Sequence, residues 1–143
     1  MRLQLILVSA LVAISFSLLA CGEVAGDTAN IEDTKWVLES YGEQGNLQAV
    51  LAGTRVTATF DSAEDEVKGS AGCNTYFGDY QISGNNLSIP VIANTEMYCL
   101  EPEGIMEQEN QYLSAMRAAE SYEIQNGKLR IIAGSQVLVF SAE

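Results

Sequence analysis

Twelve residues, Gly69 to Tyr80, constrain this chain more than any other stretch. They read Gly-Ser-Ala-Gly-Cys-Asn-Thr-Tyr-Phe-Gly-Asp-Tyr, with glycines at 69, 72 and 78, Cys73 in the middle and tyrosines at 76 and 80. Glycine accepts positive φ and lets backbones approach closely, so this clustering predicts a tight bend rather than a regular element. Tyr76 and Tyr80 supply rings to pack over that bend. Further on, Thr95-Glu96-Met97-Tyr98-Cys99 carries the only other cysteine downstream. The two stretches are expected to be neighbours in the fold.

The first twenty residues stand apart. Arg2 is their only charge, and the apolar run from Leu3 to Leu19 is broken only by Gln4, Ser9, Ser15 and Ser17. That run is short against the roughly 20 apolar residues of a spanning helix, which favours a signal peptide over a transmembrane anchor. It ends in Leu18-Leu19-Ala20-Cys21-Gly22, which resembles the lipobox of bacterial lipoproteins, although Leu19 is an unusual middle residue. The resemblance implies lipidation of the Cys21 thiol and cleavage before it; an ordinary secretory peptide is the alternative. Gly22 in place of Asp resembles lipoproteins sent on to an outer membrane, or to the outer leaflet where there is one membrane. The expected location is the cell envelope, outside the cytoplasm.

Residues 21–143 then form the mature chain, with six basic against nineteen acidic residues and a net charge of −13, against −12 for the whole sequence. This length suits one domain with one core. The charge repels phosphate backbones, so nucleic acid is not an expected partner. It also repels anionic headgroups, leaving a lipid on Cys21 as the expected membrane contact. Residues 21–33 are small, acidic or polar, with Ile31 their only large apolar side chain, and read as a flexible tether of roughly 20 Å.

The domain is expected over 34–143. Trp36 and Leu38 alternate on one strand face, with Trp36 expected in the core. Gly42–Gly53 reads as a loop. Val56, Ala58 and Phe60 alternate inward, an acidic turn Asp61–Glu66 follows, and Val67–Ser70 begins the next strand. Gly84-Asn85-Asn86 and Asn126-Gly127 mark hairpins, the latter because both positions accept φ > 0. Between them Ile105, Tyr112, Leu113, Met116 and Ala119 recur at helical spacing, predicting one amphipathic helix over Gly104–Ala118. Glu103 and Glu107 complement its N-terminus and Arg117 its C-terminus. The fold class that follows is mostly β (α+β): a small antiparallel sheet or partly closed barrel with one late helix.

Trp36-x-Leu38, Phe60, Val67-x-Gly69-x-x-Gly72-Cys73-Asn74-x-Tyr76-x-Gly78-x-Tyr80, Thr95-x-Met97-x-Cys99, Leu129 and Phe140 together resemble the META domain family, the HslJ-like group. The resemblance runs from about Thr34 to Phe140. It implies a small, mostly β domain with one helix, and envelope or stress-related roles without an established chemistry or ligand.

Candidate chemistry is sparse. In an export compartment, Cys73 and Cys99 are most simply a disulfide; a redox pair, a nucleophilic thiol and two reduced buried thiols are the alternatives. A reactive thiol needs a nearby cation or histidine, and the chain has no histidine, with only Lys68 close in sequence. The absence of histidine also removes Ser-His-Asp and Cys-His catalysis and the usual zinc sites. The acidic turn lacks EF-hand spacing and reads as solvated. No phosphate-cradling loop is present, and no cofactor or metal is expected. Tyr76, Tyr80 and Tyr98 are either an aromatic recognition surface or rings half-buried over the bend with hydroxyls in water. The expectation is a non-enzymatic, lipid-anchored binding or scaffolding protein with an envelope protein as partner. The alternative is a stress-response protein that stabilises another envelope component, with a thiol or carboxylate enzyme behind both.

Overall fold

The computed structural model describes residues 30–143. The leader at 1–20, the lipidation residue Cys21 and the tether as far as residue 29 lie outside the described residues. Eleven strands and one helix follow in order: β1 (Lys35–Glu43), β2 (Asn46–Ala49), β3 (Thr57–Asp61), β4 (Glu66–Ser70), β5 (Thr75–Asp79), β6 (Gln81–Ser83), β7 (Asn86–Ser88), β8 (Ala93–Asn94), α1 (Ile105–Arg117), β9 (Ser121–Gln125), β10 (Lys128–Ala133) and β11 (Gln136–Ala142). All strands belong to one antiparallel sheet in the order β6-β7-β9-β10-β11-β1-β3-β4-β5-β8, with β2 alongside β1. The sheet curls into a half-barrel, as the mostly β reading expects.

The local reasons are those of the sequence. Asn126 and Gly127 both take positive φ, at 53° and 71°, so the β9–β10 hairpin turns in two residues. Gly84 and Asn85 turn β6 into β7. Trp36 and Leu38 point inward from β1; a register shift between Leu38 and Ser40 then swings Tyr41 onto the same buried face. The helix places Ile105, Tyr112, Leu113 and Met116 inward. Tyr112 meets Tyr76 and Phe140 edge to face, with ring centroids 5.6 and 6.4 Å apart, so the helix is fastened to both halves of the sheet through one ring. Trp36, Phe60, Phe140, Leu129 and Ile131 complete a core in which each large apolar side chain contributes about 1.5–3 kcal/mol.

Two sequence expectations change. Gly42–Gly53 is not a plain loop: the chain turns at Gln44-Gly45 and returns as β2, pairing Ser40–Glu43 with Asn46–Ala49. All four β2 residues are exposed, so no alternation betrays the strand. Residues 31–33, expected to belong to the tether, are packed on the domain instead. Ile31 is buried at 1% exposure, its carbonyl accepts the Trp36 indole N–H at 2.9 Å, Glu32 bridges Phe60, and Asp33 accepts from the Ser62 hydroxyl at 2.6 Å. A run too polar to order itself is ordered by Trp36 and the β3–β4 turn.

Candidate functional site

The Gly69–Tyr80 stretch is the end of β4, a bend at residues 71–74, and β5. Its glycines do different jobs. Gly72, at φ 116°, makes the bend. Gly69 and Gly78 lie within β4 and β5, and a Cβ on either would collide with a backbone carbonyl, that of Thr57 or of Val91. The clustering that suggested one bend therefore combines one bend with two close strand contacts.

The bend is joined to the Thr95–Cys99 stretch, as expected. Cys73 and Cys99 form a disulfide with Cα atoms 5.9 Å apart. Asn74, 2% exposed, does the finer fastening. Its Oδ1 accepts from the Met97 N–H and the Thr95 hydroxyl, both at 2.7 Å, and its Nδ2 donates to the Met97 carbonyl at 3.0 Å. The Thr95 hydroxyl oxygen in turn accepts from the Thr75 N–H at 3.3 Å.

A residue that sequence reasoning missed completes this arrangement. Glu109 on α1 is 3% exposed, and its carboxylate accepts from Cys73 N–H (3.1 Å), Asn74 N–H (2.7 Å) and Asn74 Nδ2 (2.6 Å). Three donors converging on one carboxylate replace the water it gives up on burial. Next to it, Gln108 accepts from Leu51 N–H at 2.7 Å and donates to the Thr54 hydroxyl at 3.0 Å. The helix is thus clasped on one side to the bend and on the other to the loop after β2. The signal was available: position 109 falls on the apolar stripe 105-112-116, where a charged residue is out of place.

The tyrosines resolve neither way expected. Tyr76 and Tyr80 are buried at 1% and 4%, and each hydroxyl has a protein partner. Tyr76 donates to the Thr57 carbonyl at 2.9 Å and shares a 2.6 Å bond with the Tyr112 hydroxyl; Tyr80 donates to the Glu32 carboxylate at 2.7 Å and sets its ring edge-on to Phe60. Burial pushes all three phenols well above the ordinary tyrosine range, with Glu32 adding to the effect at Tyr80. Tyr98 alone is exposed, at 77%. It belongs to an apolar ridge: Phe77 on β5, Val91 just before β8, and Met97, Tyr98 and Leu100 on the disulfide-tied segment, each more than half exposed. Five of the six exposed large apolar side chains among the described residues fall in this one region.

The acidic turn is a structural device. Asp61 and Glu64 converge on the Lys68 ammonium at 3.1 and 3.5 Å, which holds the Asp61 carboxyl below its usual range. Among the described residues no group of three or more His, Cys, Asp or Glu side chains is placed to hold a metal ion.

The META domain family model matches residues 29–143, which spans both joined stretches, the clasp and the whole sheet. The chain belongs to the META domain family. This META domain is similar to a protein from Burkholderia xenovorans solved by NMR, with 26% identity and a TM-score of 0.66 over 79% of this chain and 83% of that one. A second NMR structure, at 22% identity and a TM-score of 0.59, covers 76% and 87%. A crystal structure of a DUF4847 family protein from Bacteroides vulgatus, at 15% identity and a TM-score of 0.55, covers 78% and 93%. The last two show the fold alone. No curated protein matches the chain. In this META domain Gly72, Cys73, Asn74, Tyr76, Thr95, Met97 and Cys99 fasten the bend, its neighbouring segment and the helix, while Gly69, Gly78 and Tyr80 hold β4 and β5 against Thr57, Val91 and Glu32. The motif that identifies the family is built into its framework.

Proposed function

We propose that this META domain is a non-enzymatic binding module of the bacterial cell envelope, tethered through lipid on Cys21, and that it holds an envelope protein against the Phe77–Leu100 ridge. The observation that carries the reading is the ridge. A soluble domain rarely gathers large exposed apolar side chains in one place without a partner to cover them. Here the segment bearing Met97, Tyr98 and Leu100 is also pinned by a disulfide and by Asn74, so little ordering entropy is lost on docking. Asp79, Glu96, Glu101 and Glu103 rim it, all exposed. Two copies would bring those acids face to face, so the partner is a different protein with apolar side chains ringed by Lys or Arg. The polar groups around the clasp support a non-enzymatic reading, since Glu109, Tyr76 and Tyr112 are all committed to internal bonds.

Site-specific photo-crosslinking in cells tests this. A photoreactive residue at position 98 is expected to capture one envelope protein, and Phe77→Ser with Leu100→Ser to abolish the capture while leaving the melting temperature within a few degrees. Equal capture from a control position on β9, such as Glu123, would refute the ridge as the docking surface. Cys21→Ala is expected to move the protein from the membrane fraction to the soluble one; membrane retention would refute the lipid tether.

A further inference from the structure

A groove of about 790 Å³ opens between α1 and the hairpin ends of β1–β2 and β10–β11. Gly42, Ala115, Ala118 and Ala133 form a floor of small side chains. Carboxamides line the walls: Asn46 and Gln48 from β2, Asn110 and Gln111 from α1, and Gln136 from β11. Gln48 and Gln111 are bonded to each other at 3.0 Å, and Gln111 to Glu107 at 2.8 Å, which orders the middle of the array. Asn46, Asn110 and Gln136 make no side-chain hydrogen bond among the described residues. Glu43 and Glu107 complete the lining, which contains no basic and no aromatic side chain.

The charge distribution gives the groove its selectivity. Every described basic residue is engaged elsewhere: Lys35 and Arg55 with Glu143, Lys68 with Asp61, Lys128 with Glu39, Arg130 with Glu123, and Arg117 with the Ile92 carbonyl. No internal cation remains to answer Glu43 and Glu107. Anionic ligands are repelled, and an apolar ligand would leave the wall carboxamides unpaired. A sugar ring would find no aromatic face. Carboxamides present a donor and an acceptor side by side, which is the complement of a peptide backbone. A floor of glycine and alanine lets a main chain lie close. Mouths of β-barrels are frequent binding sites, and this volume is within the usual range.

We propose that this groove binds an extended polypeptide segment carrying lysine or arginine, its backbone read by the carboxamides and its cationic side chains by Glu43 and Glu107. The occupant is not residues 21–29 of this chain, which include Glu23 and Asp27 and no basic residue. Nor is it a second copy, since the chain carries −12. The proposal is independent of the ridge and of the lipid.

The test is a titration of the ¹⁵N-labelled full chain in non-ionic detergent with a capped pentapeptide of alternating alanine and lysine. Side-chain NH₂ signals of Asn46, Gln48, Asn110, Gln111 and Gln136 are expected to shift together. Glu43→Gln with Glu107→Gln is expected to weaken binding roughly tenfold, the scale of two partly exposed ion pairs. Ser114→Trp, on the exposed helix face beside the groove, is expected to block it. A control pair with the same charge change away from both surfaces, Glu64→Gln with Glu120→Gln, is expected to leave affinity within twofold. An equal loss in the control pair, shifts confined to residues outside the groove, or no shift at millimolar peptide overturns the proposal. So does a neutral chitotetraose that shifts the same carboxamides when the peptide does not.

Discussion

Replacing Glu109 by Gln keeps the shape of the side chain and removes its charge, so it isolates what the buried carboxylate does. In the wild-type protein three donors converge on it. A carboxamide oxygen can still accept from the Cys73 and Asn74 backbone N–H groups, but the new NH₂ then faces Asn74 Nδ2. Asn74 cannot turn its amide over to relieve this, because Oδ1 already accepts from Thr95 and Met97 at 2.7 Å. One bond is therefore lost with a buried donor left unsatisfied, at about 1–3 kcal/mol, and two others fall from charged to neutral strength, each losing about 1 kcal/mol. We expect a destabilisation of about 3–5 kcal/mol, a large share of the ~5–15 kcal/mol that holds a domain together. Lowering the net negative charge by one acts in the opposite direction, so the measured loss is a lower bound on the worth of the clasp. In guanidinium melts of the full chain the midpoint should fall by roughly 1 M with unchanged slope. Glu107→Gln, two residues away on the exposed face, should shift stability by less than about 0.5 kcal/mol. If the two variants melt alike, the reasoning that the carboxylate holds bend to helix is wrong.

Other outcomes follow from the same contacts. Gly78→Ala should cost about 3 kcal/mol or more, because its Cβ meets the Val91 carbonyl, whereas Gly45→Ala, with open space around it but φ at +89°, should cost only about 1 kcal/mol; equal losses would show that conformation rather than crowding decides. Ile31→Ala should cost about 2–4 kcal/mol by thermal melting, and a neutral result would return residues 30–33 to the tether. Serine at both Cys73 and Cys99 should remove roughly 3 kcal/mol by opening a loop of 26 residues, while thiol titration of denatured wild type without reductant should find neither cysteine free. Alkali should unfold the protein cooperatively. Tyr76 and Tyr112 hold their protons more tightly folded than unfolded, so their contribution is complete below about pH 10 and declines above it by about 1.4 kcal/mol per pH unit for each phenol. A melting temperature flat from pH 9 to 12 would contradict the buried placement.

The two ends of the pH scale have different origins. Asp33, Asp61 and Glu143 are held below the usual carboxyl range by Ser62, by Lys68, and by Lys35 with Arg55. Their folded pKa values are depressed, so what they contribute is present above the unfolded carboxyl range and is lost as pH falls through the folded values. All three lie on the surface, so the acid-side effect should be small and salt-sensitive beside the alkaline one.

Period and turn chemistry alone determined a good part of this protein. Alternation at Trp36–Leu38 and Val56–Phe60 placed those side chains in the core, and Asn126-Gly127 placed a two-residue turn, because these preferences act within a few bonds. The spacing of Ile105, Tyr112 and Met116 gave the helix to within a residue at each end. The pairing of the two cysteine stretches was also legible, through chemistry that needs both. What the tertiary structure decided is everything set by a distant neighbour. β2 exists because β1 offers it an edge, not because Asn46–Ala49 alternates. Gly69 and Gly78 are required by Thr57 and Val91, residues that no local pattern connects to them. Tyr76 and Tyr80 lie in the core because Thr57 and Glu32 accept from their hydroxyls. Glu109 stands out on the apolar stripe of the helix, but only the fold brings the Cys73–Asn74 amides that it accepts from. Burial of a polar group is decided by whether partners arrive to replace water, and those partners come from across the chain.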